Sequence, residues 1–70
     1  MPARSVPISG ENIRLGQFLK LADAIDSGAD AKALLADERV VVNGEVETRR
    51  GRQLVRGDTV VVDGLDLAVG

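Results

Sequence analysis

Val40-Val41-Val42-Asn43-Gly44-Glu45-Val46-Glu47 decides the fold of this chain. Three β-branched residues followed by Asn-Gly form the strongest short-range hairpin signal, because both central positions of a type I′ turn need φ > 0. Glu45-Val46-Glu47 is then the returning strand. Directly beyond it lies Thr48-Arg49-Arg50-Gly51-Arg52, and Arg56-Gly57-Asp58 makes a further turn. Residues 49–56 hold four of the nine basic residues and no acid, although the chain as a whole has net charge -2. A basic knot inside an acidic protein needs a reason, since scattered charges would serve solubility equally well.

Outward to the C-terminal side, the period of two continues. Leu54-Val55 is a short strand and Thr59-Val60-Val61-Val62 another. Asp63-Gly64 turns before Leu65-Asp66-Leu67-Ala68-Val69. To the N-terminal side the period becomes helical. Ser27 can cap a helix, with Asp30 three residues later in a capping-box arrangement and near the positive end of the helix dipole. Ala31, Leu34 and Leu35 form its apolar face, and Lys32 lies off that stripe. Ala29, Ala33 and Ala36 are small enough to admit another backbone. The helix should end near Asp37 or Glu38.

An earlier helix has Leu15, Phe18, Leu19 and Ala22 on one face. Gly16 weakens it by about 1 kcal/mol relative to alanine, so it should be short or start late. Asp23 to Asp26 link the two helices. Residues 1–12 read as a tail with a short strand, Ser5-Val6-Pro7-Ile8, in which Pro7 suits an edge, and a turn at Gly10-Glu11-Asn12. The order predicts an α+β fold in which two short helices pack on a small antiparallel sheet. Seventy residues allow one domain, 1–70, with a core from about 8 to 69.

Composition narrows the chemistry. The apolar fraction of 44% suits a globular protein and not a disordered one. With no Cys there is no disulfide or thiolate, and with no His no imidazole base and no zinc site. No cofactor and no catalytic constellation is expected; the pairs Asp37-Glu38 and Glu45/Glu47 read as solvated surface. No long apolar run suggests a signal peptide or a membrane span, so the expectation is a cytoplasmic monomer without a membrane partner. Charge is unevenly distributed: residues 32–56 carry six basic and four acidic groups, and residues 57–70 carry three acids and no base. A ligand within the Debye length of about 8 Å feels the local patch more than the total.

Arg49, Arg50 and Arg52 offer rigid, permanently charged forks that match phosphate oxygens, and Gly51 lets backbone approach closely. Read from the residues alone, the knot is either a phosphate-binding loop or a solvated loop whose arginines pair with Glu45 and Glu47. Phe18, the one aromatic residue, belongs to the core stripe. Stacking on single-stranded RNA needs exposed aromatics, so any nucleic-acid partner would be folded or double-helical and read through its backbone.

Taken in order, Ile13-Arg14-Leu15, Phe18-Leu19-Lys20-Leu21, Ser27-Gly28-Ala29, Ala31-Lys32-Ala33-Leu34-Leu35, Val40-Val41-Val42-Asn43-Gly44, Val46-Glu47-Thr48-Arg49 and Gly57-Asp58-Thr59-Val60 resemble the RNA-binding domain named after small-subunit ribosomal protein S-four, the alpha-L motif. Its short, stand-alone bacterial members are the nearest match, and the resemblance covers roughly Ile8 to Val62. It implies a non-catalytic module that grips structured RNA, ribosomal or otherwise folded, through backbone phosphates. It also implies contacts at Arg14, Lys20, Lys32, Arg49, Arg50 and Arg52. Arg14 precedes a helix whose N-terminus itself favours anions. Three positions depart from the family: Ser27-Gly28 where Ser-Arg is frequent, Glu38 where Gly is frequent, and Val41 where Lys is frequent. Two other readings compete. One is a ubiquitin-like sulfur carrier, suggested by the length, the Val-Asn-Gly-Glu segment and Gly70. The other is a protein-binding module whose basic loop meets an acidic partner.

Overall fold

A computed structural model describes residues 3–70; Met1 and Pro2, at the start of the expected tail, lie outside them. In chain order the elements are β1 (Arg4–Val6), β2 (Asn12–Arg14), α1 (Leu15–Leu21), α2 (Gly28–Ala36), β3 (Val40–Val42), β4 (Glu45–Val46), β5 (Gln53–Val55), β6 (Thr59–Val62) and β7 (Leu65–Val69). Both expected two-residue turns form. Asn43 and Gly44 take φ of 51° and 86°, and Asp63 and Gly64 take 50° and 82°, as type I′ turns require. Val42 therefore faces Glu45, and Val62 faces Leu65.

The main sheet runs β1-β7-β6-β3-β4. It is mixed, where an antiparallel sheet was expected. β1 lies parallel to β7, with Arg4 opposite Leu67 and Val6 opposite Val69. Pro7, which has no N–H to donate, follows directly as β1 leaves the sheet edge. β7 is thus flanked on both sides, and the Gly70 N–H donates to the Val6 carbonyl at 2.9 Å. Leu65–Val69 is an inner strand, not the flexible tail that the sulfur-carrier reading needs, and two helices precede the first hairpin.

β5 does not join this sheet. It pairs antiparallel with β2, which includes Asn12 from the expected turn; Asn12 faces Val55 and Arg14 faces Gln53. Because β2 runs straight into α1, this pairing brings Arg50 and Arg52 against the first turn of α1. The Leu15 N–H donates to the Arg52 carbonyl at 2.8 Å and the Gly16 N–H to the Arg50 carbonyl at 3.0 Å.

Alternation places Val40, Val42, Val60, Val62, Leu67 and Val69 in one core with Leu15, Phe18 and Leu19 of α1 and Ala31 and Leu35 of α2. Leu54 of β5 is also fully buried there. Ala29, Ala33 and Ala36 face solvent and admit no neighbouring backbone. α1 is short, as expected, but does not start late: it begins at Leu15 with Gly16 in its first turn.

Both helices end in the same way. After α1 the Asp23 N–H reaches the Lys20 carbonyl and the Ala24 N–H the Leu19 carbonyl. After α2 the Glu38 N–H reaches Leu35 and the Arg39 N–H reaches Leu34. This double closure is the Schellman pattern, which places one residue in the left-handed region. Here these residues are Asp23 (φ 62°) and Glu38 (φ 58°), not glycine, so each exit carries strain. Ser27 occupies the N-cap of α2 with extended backbone, yet its side chain makes no capping bond. The Asp30 carboxylate instead accepts from the Asp26 N–H at 3.2 Å. Among the described residues no helix is long and apolar enough to cross a membrane.

Candidate nucleic-acid interface

The expected loop arginines divide into two kinds, and Glu47 makes the division. Its carboxylate accepts from the Thr48 and Arg49 backbone N–H groups at 2.9 and 3.0 Å. It also accepts from Arg49 Nε at 3.2 Å and Arg52 Nη1 at 3.0 Å. The Glu47 side chain is only 6% exposed, so it is a buried anion and not part of the expected solvated surface. Hydrogen bonds from Arg49, above all, hold its carboxyl down at about 2 against an ordinary 4.5; burial opposes them and loses. Arg49 stays mostly in solvent at 77% side-chain exposure, whereas Arg52 is largely covered at 29%. Both are held by an acid, which is half of what the solvated-loop reading anticipated. Glu45 takes no part in these pairs.

Other basic residues are also engaged. Arg4 donates to the Ala22 carbonyl, Arg56 donates to the Ile8 carbonyl at 3.1 Å, and Arg39 pairs with Asp63 at 2.7 Å. Among the described residues this leaves Arg14, Lys20, Lys32 and Arg50 with neither an ion pair nor a side-chain hydrogen bond. These four converge. Arg14, Lys20 and Arg50 line one open recess between the start of α1, Gly28 of α2 and Gly51. Lys32, Thr48 and Arg50 line a second beside Leu35 and Ala36. Each recess holds about 370 Å³, at the low end of small-molecule sites, and opens outward, which suits a passing chain better than an enclosed ligand. Arg50 is common to both.

The first two N–H groups of α1 are taken by the Arg52 and Arg50 carbonyls, so the helix end beside Arg14 has fewer donors for an anion than the sequence suggested, although Gln17 of its first turn lines the same recess. Glu38 lines neither recess. Sequence reasoning missed two residues that build this surface. Glu47 was assigned to the surface because alternation over Glu45-Val46-Glu47 turns Val46 inward; the structure reverses this, with Val46 exposed and Glu47 buried just beyond β4, and nothing local signals it. Gly16 was read as a helix defect, and nothing local to α1 reveals the arginine packed on it. Four of the acids lie elsewhere: Asp23, Asp26, Asp30 and Asp63 border a separate groove over Ala24 and Leu34.

Two helices on a mixed sheet, closed by an Asn-Gly hairpin and a basic loop folded onto the first helix, define the S4 domain. That family matches residues 6–70, and the chain belongs to it. One relative, from Bacillus subtilis (strain 168), bears the name "Probable ribosome maturation protein RlbA"; it is 52% identical over 62 residues, covering 89% of this chain and 87% of the relative. Another, from Escherichia coli (strain K12), named "Putative RNA-binding protein YbcJ", is 40% identical over 58 residues, or 83% of each chain.

Proposed function

We propose that this chain is a non-catalytic RNA-binding module that grips folded RNA by its phosphates. The observation that carries this reading is the convergence of Arg14, Lys20, Lys32 and Arg50, the four cations without partners among the described residues, on two adjoining recesses. Cations left unpaired in a net-acidic chain are placed to meet an outside anion. Arg49, mostly in solvent, adds a partly neutralised charge in the same loop, and Arg52 serves as a buttress. Phe18 is fully buried, so base stacking on an aromatic side chain has no donor here. The buried carboxylate does not suit acid–base work near neutral pH, because it titrates at about 2. The name of the Bacillus relative favours ribosomal RNA during ribosome maturation as the target, and that of the Escherichia relative supports RNA in general.

Fluorescence anisotropy with a labelled RNA stem-loop and a single-stranded RNA of equal length tests this. The stem-loop should bind more tightly, and Lys32→Ala and Lys20→Ala should each weaken it. Absence of stem-loop binding at low salt would overturn the reading.

A further inference from the structure

Gly16 violates the preference of its own helix. Glycine is among the least favourable residues inside a helix, and Gly16 is not among the residues with positive φ that would require it. Its reason lies across the molecule. A Cβ on residue 16 would stand 2.6 Å from Arg50 Cγ and 3.3 Å from Arg50 Cδ. The Gly16 N–H also donates to the Arg50 carbonyl at 3.0 Å. Residue 50 is therefore held on residue 16 twice, by its backbone through a hydrogen bond and by its aliphatic stem through contact. From this seat the side chain reaches α2, where its Nη1 lies 4.0 Å from the place a Cβ would take on Gly28. In that position it lines both recesses.

We infer that Gly16 is a positioning residue of the RNA site. The absence of its Cβ lets Arg50 lie across the gap between the helices, where it is the contact shared by two phosphate positions. One position is flanked by Arg14 and Lys20 and the other by Lys32. The inference rests on the RNA-binding reading and adds to it a division of labour: Arg50 is the central contact, and Gly16 acts only through it. The contact lies at Cγ, mid-stem, on a residue whose carbonyl is pinned to the same helix, so an added methyl group displaces the whole side chain and not just its tip.

Binding and helix preference should therefore move in opposite directions. Wild type, Lys32→Ala, Gly16→Ala, Arg50→Ala and the Gly16→Ala/Arg50→Ala double variant are titrated with the labelled RNA stem-loop over a potassium chloride series and melted by circular dichroism. Gly16→Ala and Arg50→Ala should each lose about tenfold in affinity, the scale of one charge-assisted hydrogen bond. Each should also lower the salt slope by about one, a readout that a merely structural defect would leave unchanged. The double variant should bind no more weakly than Arg50→Ala. It should also melt above Arg50→Ala, because alanine at 16 then acts only as a better helix former. That comparison decides the matter even if Gly16→Ala alone folds poorly. Wild-type-like binding by Gly16→Ala, additive losses, or a double variant that melts below Arg50→Ala would overturn the inference while Lys32→Ala still weakens binding. If the wild type itself does not bind, the RNA reading falls and this inference falls with it.

Discussion

Replacing Glu47 with glutamine keeps the shape of the side chain and removes the charge on which Thr48, Arg49 and Arg52 converge. The folded carboxyl titrates at about 2 instead of 4.5. At about 1.4 kcal/mol per tenfold change in proton affinity, this corresponds to roughly 3 kcal/mol. Arg49 is largely in solvent, so screening reduces the coupling, and a loss of about 2 kcal/mol at neutral pH is expected. For a domain of this size that lowers the melting temperature by roughly 8–16 °C. The pH dependence has a definite sign. A depressed folded pKa contributes fully above about 4.5 and is lost as pH falls toward about 2. Urea unfolding of wild type and Glu47→Gln at a series of pH values checks this: the gap should be widest near neutrality and close in acid. A gap that is absent at pH 7, or that stays constant down to pH 2, would refute the argument.

Other outcomes follow from particular backbone positions. Glu38→Gly removes a Cβ from a left-handed position (φ 58°) and should stabilise by about 0.5–1 kcal/mol after its cost in the unfolded chain, read as a higher melting temperature. Asn43→Ala loses both tolerance of φ 51° and the acceptor for the Thr59 N–H at 2.9 Å; chemical denaturation should show a loss of about 1–3 kcal/mol, with Asn43→Gly costing less. Leu54→Ala empties a fully buried site beneath the β2–β5 pair and should cost about 2–5 kcal/mol, leaving a detectable unfolded fraction by circular dichroism at 37 °C.

What was legible in the sequence was local. Asn43-Gly44 and Asp63-Gly64 each state their turn type because few residues accept φ > 0, and each turn sets the register of its flanking strands. Leu15, Phe18 and Leu19 state their helix face by spacing alone. What was not legible depends on contacts between distant segments. β1 and β5 are three residues each; their pairing, parallel to β7 and antiparallel to β2, is decided by which edges the rest of the chain leaves open. The arginine knot was visible as composition, and family likeness named Lys20 and Lys32 beside Arg49, Arg50 and Arg52 as expected contacts; of the knot, Arg50 alone lines the recesses with those lysines. Its partition was not visible: whether an arginine faces Glu47 or the recesses depends on a loop whose carbonyls are tied to α1. Arg14 and Lys20 join Arg50 only because β2–β5 pairing folds that loop back.

The central claim, that the four cations unpaired among the described residues form one phosphate-gripping surface, is tested most directly by the salt dependence of wild-type binding to a structured RNA. Neutralising about four phosphates predicts that log K falls against log salt with a slope of about -3 to -4. Changing Arg14, Lys20, Lys32 and Arg50 together to alanine should flatten it nearly to zero. A wild-type slope near zero, or a steep slope that survives in the fourfold variant, would contradict the account.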